Sequence, residues 1–239
     1  IEDTTIVLNT ENTNLKALFR RANASLSLST NMDDSDDSKV DLLLQARKDM
    51  EAVVSFQANE VNNTMLANIV KALRQISLRW KEMGNDSLKS NEVFVAIDCF
   101  TRAIECDEAN VAARSNRSLA FNKVERFVES EKDASDVITQ CEGADALEGG
   151  EDPKKLLPKA YFRRGVARRS QGGAKLALAL ADFDKSLQLS PDSKEVLKEK
   201  EKTIQIMNGG KPSTSAPNSP AAPAAPAAAP KPPTPPVAS

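Results

Sequence analysis

The chain has 239 residues, of which 40% are apolar and only 4% aromatic, and its formal net charge is −2 at pH 7. This composition favours helices packed through Leu and Ala over a β-sandwich or barrel. Without a basic excess, nucleic-acid binding is not expected. Because the chain contains no histidine, catalytic triads and zinc sites that need one are excluded within these residues.

The cysteines also point away from a metal site. Cys99, Cys106 and Cys141 are odd in number and lack metal-ligand spacing, so we expect buried thiols in a reducing, cytoplasmic compartment and no metal or cofactor. No apolar run approaches the length of a membrane span, and no signal peptide is visible. Since the first residue is Ile1 rather than Met, we expect that upstream sequence is missing.

The first third of the chain alternates helical patterns with polar segments. Apolar spacing predicts helices from Leu15 to Leu28 and from Val40 to Phe56, with a solvated acidic loop between them. The residues before Asn12 are expected to form a helix end and a polar loop. Asn62 to Met83 contains no Gly or Pro, which predicts one long helix or two helices with a bend near Ser77.

The segment from Ser77 to Asn110 has the pattern of a helical hairpin. Small residues allow its two helices to approach closely, and aromatic residues fill the space between successive hairpins. The positions that carry this pattern are Trp80, Gly84, Ala96, Phe100 and Ala103.

The pattern recurs further along the chain. Ser118 follows Gly84 by 34 residues and Ala134 follows Phe100 by 34 residues, so a second hairpin is expected from Val111 to Cys141. Glycines and Pro153 then predict a loop insertion over Glu142 to Leu157. A third hairpin is expected to resume at Lys159, with Gly165 and Phe183 at the packing positions, and a capping helix from Ser193 to Met207 follows it.

A 34-residue period with this W…G…A…F…A pattern resembles the tetratricopeptide repeat (TPR). The resemblance implies an all-α TPR helical-hairpin superhelix with a capping helix. We predict three parts: residues 1–76 as the C-terminal part of a truncated upstream TPR unit, 77–208 as a three-repeat TPR domain, and 209–239 as a disordered Pro/Ala-rich tail.

Polar residues on the first helix of each hairpin are the candidate binding site, because these helices line the groove of such a stack. Residues four apart share a helix face. Together the set can neutralise two carboxylates and donate hydrogen bonds to them. Its members are Lys81 and Asn85 in the first hairpin, Asn116 in the second, and Lys159 and Arg163 in the third.

The motifs K-x-x-G-N, S-N-R-S and K-A-Y-F-R-R resemble the dicarboxylate-clamp TPR domains of co-chaperone adaptors. The resemblance implies binding of C-terminal peptides of the Glu-Glu-Val-Asp type from seventy- and ninety-kilodalton heat-shock chaperones. The five residues above would fill the five clamp positions, and Lys123 matches an accessory contact less closely. Lys16 and Arg20 are similar to the third-repeat clamp pair of a second, truncated domain.

We therefore predict a co-chaperone adaptor, not an enzyme, whose partners are chaperone tails and, through them, client or assembly factors. The main alternative is a TPR scaffold that assembles a non-chaperone complex and needs no clamp. Another alternative is an enzyme whose catalytic domain lies outside these residues.

Overall fold

The protein's structure is a computed structural model that describes residues 2–33, 36–144 and 152–209; for residues 2–13 and 37 it describes the backbone alone. Within these ranges the secondary structure is helical. The helices are α1 (Glu2–Ser29), α2 (Asp37–Phe56), α3 (Glu60–Lys89), α4 (Val93–Cys106), α5 (Val111–Lys123), α6 (Phe127–Cys141), α7 (Pro153–Gln171), α8 (Lys175–Leu189) and α9 (Lys194–Met207).

The predicted all-α stack of TPR hairpins is confirmed. Residues 90–92, 124–126 and 172–174 join α3 to α4, α5 to α6 and α7 to α8, and turns this short make each pair an antiparallel hairpin. Each turn contains left-handed backbone, at Asn91 (φ 63°), at Glu125 (φ 60°) and at Gly172 and Gly173 (φ 70° and 56°). Neighbouring helices pack along the chain, and α9 packs on α8 and α7 at the end of the stack.

The first and third hairpins close where a glycine meets an aromatic ring. A Cβ built on Gly84 would lie 2.6 Å from Phe100 Cε1, and one built on Gly165 would lie 2.6 Å from Phe183 Cε1. Both phenylalanines are fully buried. Only glycine therefore fits at these two positions without displacing the ring.

The second hairpin closes by hydrogen bonds instead. Ser118 and Ser130 are buried, the Ser118 hydroxyl lies 3.0 Å from the Ser130 carbonyl oxygen, and the Ser130 hydroxyl donates to the Ser118 carbonyl at 2.9 Å. Ala134 occupies the position of the missing aromatic ring and is fully buried. The small residues predicted at these sites thus bring α5 and α6 together.

An arginine–aspartate ion pair recurs next to these closing positions. Each arginine directly precedes a small residue of the first helix, namely Ala22, Ser118 or Gly165. Each aspartate is almost fully buried and directly precedes Met50, Ala134 or Phe183 on the second helix. The Nε–carboxylate distances are 2.7 Å in two pairs, and the shortest contact in the third is 2.7 Å from Nη2. The pairs are Arg21–Asp49, Arg117–Asp133 and Arg164–Asp182.

The recurrence places α1 and α2 in the same register as α7 and α8. Ala22 follows Arg21 and Met50 follows Asp49, and both are fully buried. They correspond to Gly165 and Phe183, which are buried in the third hairpin. The first two helices are thus built as a further hairpin of the same kind. Sequence periodicity had indicated helices here without identifying this ion pair.

Helix α3 joins the α1–α2 hairpin to the rest of the stack. It runs without interruption from Glu60 to Lys89, which settles the choice between one helix and two in favour of one. A single hydrophobic cluster extends from Ala22 of α1 through Ile69 and Trp80 of α3 to Ala113 of α5. The predicted domain division at residue 77 falls within this helix and stays a prediction.

Two helix starts differ from the sequence prediction. Helix α1 already begins at Glu2, so the polar loop expected before Asn12 is wrong. Helix α7 begins at Pro153, because proline fits the first turn of a helix and Asp152 caps it by accepting a hydrogen bond from the Lys154 N–H at 2.9 Å. The helix continues through Pro158, which lies beyond the first turn. The predicted insertion therefore ends before Pro153 rather than at Leu157, and its residues 145–151 lie outside the described residues.

The predicted disordered tail, apart from Gly209, also lies outside the described residues. The three cysteines are buried, as predicted, and burial raises the pKa of the Cys99 and Cys106 thiols to about 11 and about 12. In the described ranges, no helix combines the length and apolar character needed to cross a bilayer.

Replacing Gly165 by Ala should destabilise the domain. Overpacking against the Phe183 ring costs about 1–3 kcal/mol, which exceeds the gain of about 1 kcal/mol in helix propensity. Urea unfolding of Gly165→Ala, Phe183→Leu and the double variant measures this, and the double variant should lose less than the sum of the single losses. An unchanged unfolding midpoint for Gly165→Ala would contradict the close approach.

Glu131 of α6 ties the second hairpin to the third. It accepts hydrogen bonds from Lys175 Nζ at 2.6 Å, Arg168 Nε at 2.9 Å and Gln171 Nε2 at 2.9 Å. Burial alone would raise the pKa of this carboxyl, but these donors outweigh it and lower the pKa from 4.5 to about 2. The carboxylate therefore stabilises the folded state above about pH 4.5, and that contribution disappears as the pH falls towards 2.

Glu131→Gln should reduce the free energy of unfolding by about 1–2 kcal/mol at pH 7, because charge-assisted hydrogen bonds become neutral ones. Denaturant unfolding of both proteins from pH 7 to pH 2 checks this. The difference between them should be constant down to about pH 4.5 and narrow below it. A difference that stayed constant down to pH 2 would show that the charge of Glu131 has no part in it.

Candidate functional site

The candidate residues of the three-repeat region lie on α3, α5 and α7, the first helices of the three hairpins. Helix α5 packs against both α3 and α7, so the three helices form one continuous layer. We refer to the five candidate residues Lys81, Asn85, Asn116, Lys159 and Arg163 together as the clamp surface.

Two asparagines meet directly across α3 and α5. The Asn116 side-chain amide donates a hydrogen bond to the Asn85 side-chain oxygen at 2.8 Å, and both residues are half-buried. Asn116 keeps a second N–H and Asn85 keeps both of its own for other acceptors. The pair can therefore offer N–H donors to a ligand oxygen without breaking its own contact.

Arg163 joins α7 to α5 beside this pair. Its Nη1 donates to both the carbonyl and the hydroxyl oxygen of Ser115, each at 2.5 Å, and Ser115 directly precedes Asn116. On the other side, the Asn122 amide donates to the Arg163 carbonyl at 3.0 Å. These contacts hold the Arg163 guanidinium against Ser115 of α5, the residue before Asn116, and hold the Arg163 backbone against Asn122.

Arg163 is only 9% exposed, yet no carboxylate among the described residues lies within ion-pairing distance of it. Its neighbours differ: Arg164 pairs with Asp182 at 2.7 Å and Arg117 pairs with Asp133 at 2.7 Å. Burial lowers the pKa of the Arg163 guanidinium to about 10, so it stays charged at neutral pH. A buried cation without a counter-ion is costly in a folded protein, and an anionic ligand would offset that cost.

The lysines frame this centre. Lys81 is half-buried one turn before Asn85, and Lys159 is exposed one turn before Arg163. Asn85 and Asn116 thus contact each other, and Arg163 contacts Ser115, the residue before Asn116. The four-residue spacing puts Lys81 on the helix face of Asn85 and Lys159 on that of Arg163. Lys123 is exposed at the end of α5 and makes none of these contacts.

The two residues of the predicted second clamp lie on α1. Lys16 and Arg20 are exposed and line a cleft of about 240 Å³, together with Phe19 of the same helix, Val53 of α2 and Asn62 of α3. In the register set by the Arg–Asp pairs, Arg20 corresponds to Arg163. Unlike Arg163, it is exposed rather than buried.

Another cleft, of about 400 Å³, lies between α4 and α6, the second helices of their hairpins. Its arginines are already neutralised, since Arg114, Arg117 and Arg126 pair with Asp136, Asp133 and Glu129. Arg126 also lies over the Phe121 ring, 4.6 Å from its centroid. This balanced surface has no buried cation without a partner, so the clamp surface is the better candidate for an acidic ligand.

Ser115 and Asn122 were not among the residues predicted from sequence. Both position Arg163, one through its guanidinium and the other through its backbone carbonyl. The sequence carries a weak signal for Ser115 alone, which is adjacent to Asn116 and therefore on a helix that lines the site. Nothing in the sequence indicates which residue Arg163 would contact.

No protein-family model matches the chain. It is similar to RNA polymerase II-associated protein 3 of Mus musculus, with 33% identity over 133 residues, which are 56% of this chain and 18% of the mouse protein. It is also similar to the Hsp70-Hsp90 organizing protein of Triticum aestivum, with 27% identity over 133 residues, 53% of this chain and 21% of the wheat protein. These relatives confirm the predicted resemblance to tandem-TPR co-chaperones, although the chain spans about a fifth of their lengths.

Among solved structures, the chain is similar to the first TPR of Spaghetti (RPAP3) bound to the HSP90 peptide SRMEEVD. The identity is 29%, the TM-score is 0.48, and the match covers 56% of this chain and 95% of that one. For the second TPR domain of human RPAP3 in complex with the HSP70 peptide SGPTIEEVD, the identity is 34%, the TM-score is 0.45, and the coverages are 54% and 94%.

Removing the charge of two adjacent arginines of α7 should have different effects on the free energy of unfolding. Arg163→Met should leave the free energy of unfolding unchanged or higher, because it removes a buried cation that has no carboxylate partner. Arg164→Met should cost up to about 3–5 kcal/mol, because Asp182 stays buried and keeps only its contact with Arg168 Nη1 at 2.9 Å. Urea unfolding of the two variants measures the contrast, and equal losses would show that Arg163 is a structural residue like its neighbour.

Proposed function

We propose that this chain is a co-chaperone adaptor that binds the acidic C-terminal peptides of seventy- or ninety-kilodalton heat-shock chaperones, of the Glu-Glu-Val-Asp type. The clamp surface would hold two carboxylates: the C-terminal one and that of the last aspartate side chain. Lys81, Asn85, Asn116, Lys159 and Arg163 would be the binding residues, with Lys123 as an accessory contact.

The observation that carries this proposal is the buried guanidinium of Arg163. Arg114, Arg117 and Arg164 of the same helical layer each pair with a carboxylate of the chain. Among these four arginines, Arg163 is the one whose side chain bonds only to uncharged oxygens, those of Ser115. A ligand carboxylate would supply the missing negative charge, and it could accept hydrogen bonds from the guanidinium nitrogens that Ser115 does not use.

Capture would follow from these groups. The two lysines contribute mobile point charges, Arg163 contributes a fixed planar donor, and the asparagines contribute N–H donors without added charge. Contacts of this kind are worth about 1.5–3 kcal/mol each, before the cost of ordering an extended peptide is subtracted. We expect a dissociation constant in the micromolar range, which corresponds to a binding free energy of about −8 kcal/mol.

The curated relatives support the choice of ligand. The wheat protein is named for organizing Hsp70 and Hsp90, and its aligned region covers about half of this chain. The names of these relatives describe adaptor or associated proteins rather than enzymes, so we propose binding without catalysis. Free, buried cysteines are consistent with a reducing compartment, and we propose a cytoplasmic location.

We further propose that residues 1–76 end an upstream TPR unit and that residues 77–208 form the clamp-bearing domain. The shared Arg–Asp register of Arg21–Asp49 and Arg164–Asp182 supports the first part of this division. Lys16 and Arg20 would then be the third-repeat half of a second clamp.

A second candidate function is a scaffold for a non-chaperone complex. It is favoured by the similarity to a protein named for its association with RNA polymerase II. Such a scaffold would not depend on the terminal carboxylate of a partner, so the two functions make different predictions for the same peptide.

Lys159→Ala should weaken binding of a free-acid peptide ending in Glu-Glu-Val-Asp by about 10- to 100-fold, because one charge-assisted contact is lost. Isothermal titration calorimetry of wild type and variant measures this change. Lys185→Ala is the matched control, since Lys185 is an exposed lysine on α8, away from the clamp surface.

The same peptide with a C-terminal amide gives the complementary test. It should bind wild type at least about tenfold more weakly than the free acid, because one of the two carboxylates is absent. Equal affinities for acid and amide, together with unchanged binding by Lys159→Ala, would contradict the clamp and favour the scaffold.

A further inference from the structure

The capping helix α9 runs beside α7 and contributes a side chain near the clamp surface. Its Val196 is buried in a cluster with Phe162 and Val166 of α7. One turn later, Glu199 pairs with Arg169 of α7 at 3.0 Å. These two contacts fix both the direction of α9 along α7 and the side that it turns towards α7.

Glu195 lies on that side. It precedes Glu199 by four residues and so shares its helix face, and it is adjacent to Val196, whose partner Phe162 directly precedes Arg163. The Glu195 side chain is exposed and belongs to the first turn of α9. Its negative charge acts on Arg163, where it favours the charged guanidinium and opposes the effect of burial.

We propose that Glu195 is a specificity-determining residue of the clamp surface, which weakens binding of acidic peptides by competing with the ligand for the positive potential at Arg163. This inference rests on the proposed function. The carboxylate is too far from Arg163 to form an ion pair, so it lowers the potential there without closing the site.

The consequence concerns the charge of the ligand. A peptide that carries negative side chains next to its terminal carboxylates is repelled by Glu195 more than one that carries neutral side chains. Glu195 therefore shifts preference away from the most acidic tails. The interaction of two unit charges about 4 Å apart in water changes an equilibrium constant by about a factor of five. We expect Glu195 to change the dissociation constant by a factor of this order.

The test is titration calorimetry of Glu195→Gln with a free-acid peptide ending in Glu-Glu-Val-Asp. The variant should bind about two- to fivefold more tightly than wild type at low ionic strength. This gain should shrink in about 1 M salt, where the screening length falls to about 3 Å. With a peptide ending in Gln-Gln-Val-Asp the gain should be smaller, because fewer ligand charges feel Glu195.

Glu201→Gln is the matched control, because Glu201 is an exposed glutamate of the same helix and its removal changes the net charge equally. It should bind as wild type does. Equal affinities of the two variants, whether both tighter than wild type or both unchanged, would overturn the role of Glu195. Failure of wild type itself to bind the peptide would overturn the proposed function and this inference with it.

Discussion

Each of the three hairpins from α3 to α8 is closed at one point where small residues let its two helices approach closely. Gly84 against Phe100, Ser118 against Ser130, and Gly165 against Phe183 are these points. They fix how far each first helix is set against its second helix, and therefore which face the first helix presents outwards. The close packing of α5 with α3 and α7 follows from this constraint, and so does the contact between Asn85 and Asn116.

The Arg–Asp ion pairs also recur along the stack, in three of its hairpins. Arg21, Arg117 and Arg164 all satisfy a buried aspartate at equivalent positions, so these arginines hold the hairpins together. Arg163 departs from this rule, because it is buried against serine oxygens and has no carboxylate partner among the described residues. A group that stabilises a complex at the expense of the free protein is expected at a binding site, which is why the function is assigned here rather than to the paired arginines.

Much of the fold could be predicted because the repeat is encoded in small and aromatic residues at a fixed spacing. The start of α7 could not be predicted. Pro153 follows a glycine-containing segment, a pattern that indicates a loop, whereas proline is also well suited to the first turn of a helix. For the site, residue types and four-residue spacings identified the clamp candidates. The burial of Arg163, its contact with Ser115 and the nearness of Glu195 depend on how α5, α7 and α9 pack, and local sequence carries no record of that packing.

The most direct test of this account is to follow individual side-chain signals by NMR while a free-acid Glu-Glu-Val-Asp peptide is added. The account predicts that the Arg163 Nε–H signal and the side-chain amide signals of Asn85 and Asn116 shift together and saturate together. The amidated peptide at the same concentration should move them far less. Shifts confined to residues that line the cleft between α4 and α6, such as Arg117 and Phe121, with the Arg163 signal unmoved, would contradict the account.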